Sequence, residues 1–534
     1  MNTGVLLGSG TVGNVLDNAE GGEVLVMTGD AITFTGSGNT NAGEINLLGG
    51  AVTFDQDLIN DANGTINGRG TLTVTGGLAN YGRIRFAGGS SNVYGDVDNS
   101  GEVIVTGGTT ADIHDPLQHT AGEIRVSEEG HLTTHSDANA AAGAEANITG
   151  VWTALGGITS AGDIELIDGG QVNGEALVNT GLLHGDGNIG NPMANQAGGE
   201  VRVGSGQRLR LTAAGCTNGG LIRNNGGAMV FREGLVSDAN GVISGAGLFD
   251  FDGGLTLQGT MSLDSGVTDV FGPVYLSDAN NSFVTVATGA HATFCDDVDH
   301  DGNEISVAAS ARVVFFGDVT GDGDFTGSGE VIFEGTYSPG NSPAAVSFEG
   351  DVSFGSQAVL AIEIGGPAAG DDHDQVNIGG ELSADGTLLV SLLDGYEPAV
   401  GEEYVLLNFA EMTGKFDLSL PDLPGGLDWL TDCSAGSLAL SVELLGDADR
   451  NGVVDAADYI ALKRNLGAAS GAGWGEGDFD ADGDVDWSDL AILMGNLGQK
   501  AGGSSGTIPE PATLLLSALG VPAVLRRRGS IARR

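Results

Sequence analysis

A short phrase, glycine followed by alternating polar and apolar residues, recurs about every twenty residues through the first half of the chain. Gly82-Arg83-Ile84-Arg85-Phe86 is one instance, and Asn or a small polar residue usually stands ahead of the glycine. Others begin at Gly22 (GEVLV), Gly43 (GEINL), Gly64 (GTING), Gly101 (GEVIV), Gly122 (GEIRV), Gly162 (GDIEL), Gly181 (GLLHG), Gly199 (GEVRV), Gly220 (GLIRN) and Gly241 (GVISG). The intervals run from 18 to 21 residues, with one of 40 that spans two periods. Self-similarity at a fixed period marks a stacked-repeat architecture. In each phrase the second and fourth residues after the glycine fall on one face of a short strand, and the intervening Glu, Arg or Asp fall on the other. So short a strand cannot bury its apolar face alone, whereas stacked coils form continuous Val and Ile ladders inside and polar rows outside. The pattern predicts a mainly β fold, a parallel β-solenoid of right-handed β-helix type. About fifteen coils at roughly 5 Å per coil would extend on the order of 70 Å.

Leucine-rich repeats share this period, but the LxxLxL spacing they require is missing. Helical repeats are excluded because no window sustains a 3.6 period and 94 glycines in 534 residues would dismantle helices. The 20 Lys and Arg stand against 71 Asp and Glu, a formal net charge of -51. Nucleic acid is thereby excluded as an expected partner, since phosphate binding needs clustered cations, and divalent cations are favoured. Cys216 and Cys295 lie about four coils apart, beyond disulfide reach, and with Cys433 they read as unpaired. Residues 1–21 lack a basic n-region and a long apolar run, so no signal peptide is visible. The coil register is already set at Gly22, and the expectation is an export signal upstream of this sequence. The Asp-rich stretches from Asp296 and Asp318 depart from calcium-loop spacing at Glu304 and Gly329 and read as solenoid turns.

The repeats are expected to fill 1–330. From 331 to 445 the strands lengthen between Gly and Pro turns, as in GTYSPGNSPAAVSFEGDVSF and LAIEIGG. The turn from Ser338 to Pro343 and the strand from Asp374 to Gly379 resemble the closing segment of secreted β-helix proteins with autotransporter-type repeats, which implies a C-terminal cap.

Residues 446–500 hold two copies of one pattern, 31 residues apart: DADRNGVVDAAD from Asp447 and DFDADGDVDWSD from Asp478. Each supplies side-chain oxygens at loop positions 1, 3, 5, 9 and 12, a glycine at 6 and a valine at 8, a spacing that wraps hard oxygen ligands round one calcium ion. The candidate ligands are Asp447, Asp449, Asn451, Asp455 and Asp458, then Asp478, Asp480, Asp482, Asp486 and Asp489. Val453 and Asp484 would add backbone carbonyls. DYIALKRNLG and DLAILMGNLG follow the two loops and are helical by the spacing of Ile and Leu. The duplication resembles the dockerin family, which implies two calcium ions and binding to a cohesin-like domain. Dockerins of the cellulosomal type carry polar pairs at positions 10 and 11, where this chain has Ala456-Ala457 and Trp487-Ser488. The basic pair expected in the following helix is present as Lys463-Arg464 but is Met494-Gly495 in the second copy.

After a linker at 501–506 the tail at 507–534 places Pro509-Glu510-Pro511, an apolar run from Ala512 to Leu525, and Arg526-Arg527-Arg528 in fixed order. This resembles the PEP-CTERM sorting signal and implies inner-membrane sorting machinery, a transient membrane anchor, and a place in the cell envelope or outside the cell. The run is short for a permanent span.

The leading functional reading is an exported structural or adhesive surface protein that docks through its calcium module. A polysaccharide-degrading hydrolase or lyase, or a polysaccharide-binding protein of the cell surface, is the alternative. No catalytic residue is assigned: the nearest fragment of a polygalacturonase-like set is His184-Gly185-Asp186-Gly187, which lacks its basic partner. TxT-like pairs at Ile32 and Leu72 suggest ice or glycan binding but do not recur coil after coil.

Overall fold

The computed structural model describes residues 1–276, 282–340, 343–434 and 436–501. The linker from 502 and the tail with Pro509, Glu510, Pro511, Arg526, Arg527 and Arg528 lie outside the described residues. Strand dominates, and the chain winds a parallel β-solenoid of about 17 turns of ~21 residues, followed by a small helical region.

Each regular coil carries three strands. In one coil these are Val97–Asn99, Glu102–Val105 and Thr110–Ile113. The glycine phrase forms the second strand, and its register passes unbroken from coil to coil: Ile84 pairs with Val103, Val103 with Ile124, and Ile124 with Ala146. Ile124, Val103 and Val105 are buried while Arg125 is exposed, as the alternation requires. Farther along, aromatic rings add to the ladder, with Phe294 on Phe315 at 5.3 Å and Phe315 on Phe333 at 5.6 Å between centroids.

Why the phrase opens on glycine follows from contact between coils, not from backbone torsion. A Cβ on Gly101 would run into the carbonyl oxygen of Gly82, one on Gly82 into that of Gly64, and one on Gly122 into that of Gly101. Of these three only Gly122 has a positive φ. The column is glycine because successive backbones touch there.

The Asn ahead of the glycine has its own role, which the sequence pattern did not disclose. It sits on the first strand of the coil, pointing inward, and each side-chain amide donates to the next. Asn18, Asn41, Asn60, Asn80 and Asn99 form one chain of Nδ2 to Oδ1 bonds of 2.6 to 2.7 Å, all fully buried. His119 ends it at 3.0 Å from Asn99. A second chain joins Asn179, Asn195 and Asn218 at 2.8 Å and closes on the Ser237 hydroxyl at 3.1 Å. Every amide in such a ladder is both donor and acceptor, so its polar atoms are satisfied without water.

Two readings of the sequence change here. The coils do not stop at 330: Glu330 pairs with Asp351, Val352 with Leu382, and Glu381 with Glu411. Those intervals grow from 21 to 30 residues, which breaks the period in the sequence while the strands stay in register. The threonines also stack more than their phrases suggest, since Thr11, Thr33, Thr53 and Thr73 occupy one outward column. Tyr94, His114 and His135 stack farther along this face at 4.3 and 4.4 Å between centroids.

By compactness the chain divides into two units: 1–362, 374–389 and 408–418 form the solenoid unit, and 363–373, 390–407 and 419–534 the second. In the second, Leu427–Ser434 and Ser437–Leu444 pair as an antiparallel hairpin that leads directly into the loop at Asp447. Among the described residues no helix is long and apolar enough to cross a membrane.

Candidate metal centre

The two acidic loops each lead into a ten-residue helix, α1 (Ala456–Asn465) and α2 (Trp487–Asn496). Position 9 of each loop is the helix N-cap, and position 12 is the third helical residue. Asp455 Oδ1 accepts from the Ala457 N–H at 2.7 Å, and Asp486 Oδ1 from the Ser488 N–H at 2.6 Å. The position-12 aspartates reach back to complete the capping box. Asp458 accepts from the backbone of Ala448 and Asp455, and Asp489 from Phe479 and Asp486, at 2.6 to 2.8 Å. Both are fully buried. One aspartate therefore starts the helix and closes the loop, a double duty that the loop spacing alone did not reveal.

Carboxylate oxygens converge in each loop. In the first, those of Asp447, Asp449 and Asp458 lie within 4.8 Å of one another; in the second, those of Asp478, Asp480 and Asp489 do so, and also those of Asp484, Asp486 and Asp489. Asn451 Oδ1 accepts from the Val453 N–H at 2.9 Å, and Asp482 Oδ1 from the Asp484 N–H at 3.0 Å. Asp455 is not in the first cluster. Asp484, expected to offer only its carbonyl, brings its carboxylate into the second. The backbone makes its tight turn at position 4, where Arg450 and Ala481 have φ of 55° and 58°, and at position 6 with Gly452 and Gly483 at 81° and 89°. The position-6 glycine follows from the loop pattern; the left-handed position 4 does not.

Burial raises the pKa of Asp447 and of Asp478, and the surrounding aspartates add to the rise against hydrogen bonds from Gly452 and Gly483 that oppose it. Asp478 Oδ1 and Asp484 Oδ1 are buried with no hydrogen-bond partner. Oxygens that repel one another, cost free energy to hold charged, and lack donors fit a hard divalent cation, which supplies the missing positive charge.

The core beneath the loops joins the two copies. Leu444, Ala448, Val454, Leu462, Phe479, Val485 and Leu493 pack together. Position-8 valines cross between copies: Val454 bonds to Gly498 and Gln499 after α2, and Val485 to Gly467 and Ala468 after α1. The Trp474 indole also spans both, donating to the Asp447 carbonyl at 2.7 Å and packing edge-on against Phe479.

Residues 445–498 match the dockerin type I domain. No curated protein matches the chain. Dockerin type I domains bind calcium, and dockerin domains bind cohesin domains. On the outer side of this dockerin domain, Ala456, Ala457, Lys463 and Arg464 are exposed on α1, and Trp487 is 73% exposed on α2. The Lys463 ammonium lies 5.6 Å over the Tyr459 ring, in the last turn of α1 where a cation complements the helix dipole.

Outside the dockerin domain, His184 stands 2.9 Å from Asp163, and the coil register sets Arg202 beside it. The basic neighbour missing from the linear fragment comes from the next coil.

Proposed function

We propose that this chain is an exported surface protein whose dockerin domain binds two calcium ions and docks the β-solenoid, as a structural or adhesive element, onto a cohesin-like partner. The observation that carries it is the pair of convergent carboxylate loops, one before each helix, inside a matched dockerin type I domain. Asp447, Asp449, Asn451, Asp455 and Asp458, with the Val453 carbonyl, hold the first ion in this reading. Asp478, Asp480, Asp482, Asp484, Asp486 and Asp489 hold the second. Lys463 and Arg464 on α1 supply the charged part of the docking face. The tail with Pro509-Glu510-Pro511 and Arg526 to Arg528 directs sorting at the inner membrane before the protein reaches the envelope or the exterior, where cell-surface polysaccharide is a further partner.

The test is calorimetric titration of the full chain with calcium, with and without a cohesin domain. Two ions per chain are expected, Asp447→Ala and Asp478→Ala should each remove about one, and cohesin capture should vanish in chelator. Trp474 fluorescence gives a second readout, because its ring touches both loops. Zero bound ions would refute the calcium reading; two bound ions with no cohesin capture would refute the partner alone.

A further inference from the structure

The solenoid unit is strongly acidic, so each arginine in it has many carboxylates to choose from, and most are engaged. Arg83 pairs with Glu102 at 2.6 Å, Arg125 with Glu123 at 2.7 Å, Arg232 with Asp252 at 2.6 Å and Arg312 with Glu330 at 2.8 Å. Arg69 donates to the Gly88 carbonyl at 2.6 Å and Arg85 to Asn67 at 3.5 Å. Arg208, Arg210 and Arg223 differ: among the described residues their guanidinium groups have no ion pair and no hydrogen bond, and Arg210 Nε is buried without a partner. Arg208 stays close enough to Asp250 to lower its pKa, against burial that raises it. Arg202 is held only loosely, 3.7 Å from Glu200.

These four arginines fall on two successive coils. Arg202 and Arg223 pair in register on the glycine-phrase strand, with His184 in the coil before, while Arg208 and Arg210 occupy the third strand of the Arg202 coil. On the same face the outward row Glu102, Glu123, Glu145, Asp163 gives way to Leu182, and the neighbours of Arg223 in the rows are Leu221 and Val242. The acidic ladder is thus interrupted where the unpaired arginines gather. At physiological ionic strength screening acts within about 8 Å, so this local reversal of sign is felt at the surface despite the net charge of the chain.

We propose that this arginine cluster binds an acidic polysaccharide carrying one carboxylate per sugar or per few sugars, a uronate-type glycan. Guanidinium forks match carboxylates in bidentate geometry. They are spaced along the solenoid by the coil repeat of roughly 5 Å, which is of the order of one sugar unit. Exposed Asn225 and half-buried Asn188 beside them offer amides to sugar hydroxyls. The acidic groups on either side, Asp163, Glu165 and Glu200 before and Asp250 and Asp252 after, accept hydroxyl hydrogen bonds but repel a densely charged strand. Duplex DNA, with a charge every 1.7 Å or so, would meet those acids along its length.

The site does not depend on calcium docking, so the experiment is run on the full chain in chelator, where that function is silent. Retention is measured at about 0.15 M salt on immobilised polygalacturonate, dextran sulfate, neutral dextran and duplex DNA. Retention is expected on polygalacturonate, weakened at least tenfold by Arg208→Ser/Arg223→Ser and unchanged by Arg83→Ser, which breaks a pair elsewhere. Should the double variant melt lower than the parent, Arg208→Gln/Arg223→Gln replaces it. Absence of polygalacturonate retention, equal loss with Arg83→Ser, or stronger retention on dextran sulfate or DNA would each overturn the proposal.

Discussion

Replacing Asn80 by leucine tests whether the asparagine ladder holds the coils together as a chain of paired groups. Asn80 is fully buried. Its Nδ2 donates to Asn99 Oδ1 at 2.6 Å and to the Glu102 carbonyl at 3.2 Å, and its Oδ1 accepts from Asn60 Nδ2 at 2.7 Å. Leucine has nearly the same shape and no polar atoms. The loss is therefore the two partners left behind, the Asn60 amide and the Asn99 oxygen, each buried and each costing about 1–3 kcal/mol when unsatisfied. Asn60 keeps weaker bonds to the Gly64 and Arg83 carbonyls at 3.2 and 3.4 Å, which places its share at the low end. The expected cost is about 3–4 kcal/mol, measured by denaturant unfolding of the solenoid transition. The column itself supplies a control, since it continues after Ser237 as Leu257 and Leu276, where apolar neighbours face one another. Accordingly Asn60→Leu/Asn80→Leu should cost clearly less than the sum of the single changes, because the bond between them disappears from both sides. Strictly additive costs, or a single-variant cost under 1 kcal/mol, would refute the ladder as a paired network.

Gly101→Ala drives a Cβ into the Gly82 carbonyl of the preceding coil and should cost about 3 kcal/mol or more, whereas Gly13→Ala, with nothing within 4 Å, should stay within about 0.5 kcal/mol; thermal melts of the two variants decide it. His300 is buried against Phe325 with Nε2 unpartnered, and burial lowers its pKa to about 4. Since the unfolded chain protonates this ring near 6.5, the neutral ring contributes stability above that pH that fades as pH falls toward 4. Between pH 7 and pH 5 the loss from this group is about 2 kcal/mol. His300→Leu should remove that portion of the pH dependence, and parallel stability curves for the parent and variant would count against it.

The solenoid is legible in the sequence because an apolar ladder forces alternation at a fixed period, and glycine marks the contact where backbones touch. The first strand of each coil is not legible in the same way: Leu78–Asn80 and Val97–Asn99 are three residues long, too short for a periodic signal, and a buried Asn looks like a turn residue. Beyond 330 the coil lengthens, so a search tied to a twenty-residue period reads a new segment where the ladder continues. In the dockerin domain the oxygen spacing is visible in one dimension, yet the capping role of Asp458 and Asp489 and the convergence of the Asp484 carboxylate depend on how the loop closes on its helix.

Crossed pairing gives the duplicated loops a reason to be duplicated. Each loop is closed at its valine by the chain that follows the other copy's helix, through Val454 N–H to Gln499 and Gly498 N–H to Val454 on one side, and Val485 N–H to Ala468 and Gly467 N–H to Val485 on the other. A cation drawing together the Asp447 loop thus also fixes the end of α2, and one in the Asp478 loop fixes the end of α1. Neither helix is anchored by its own loop alone. With seven buried apolar residues as the central core of the domain, the cross-links and the ions must supply much of the order. The exposed residues on the helices, Lys463 and Arg464 on one and Trp487 on the other, are then held in a fixed relation only when both loops are closed, which makes docking respond to calcium as a pair of sites and not as two independent ones.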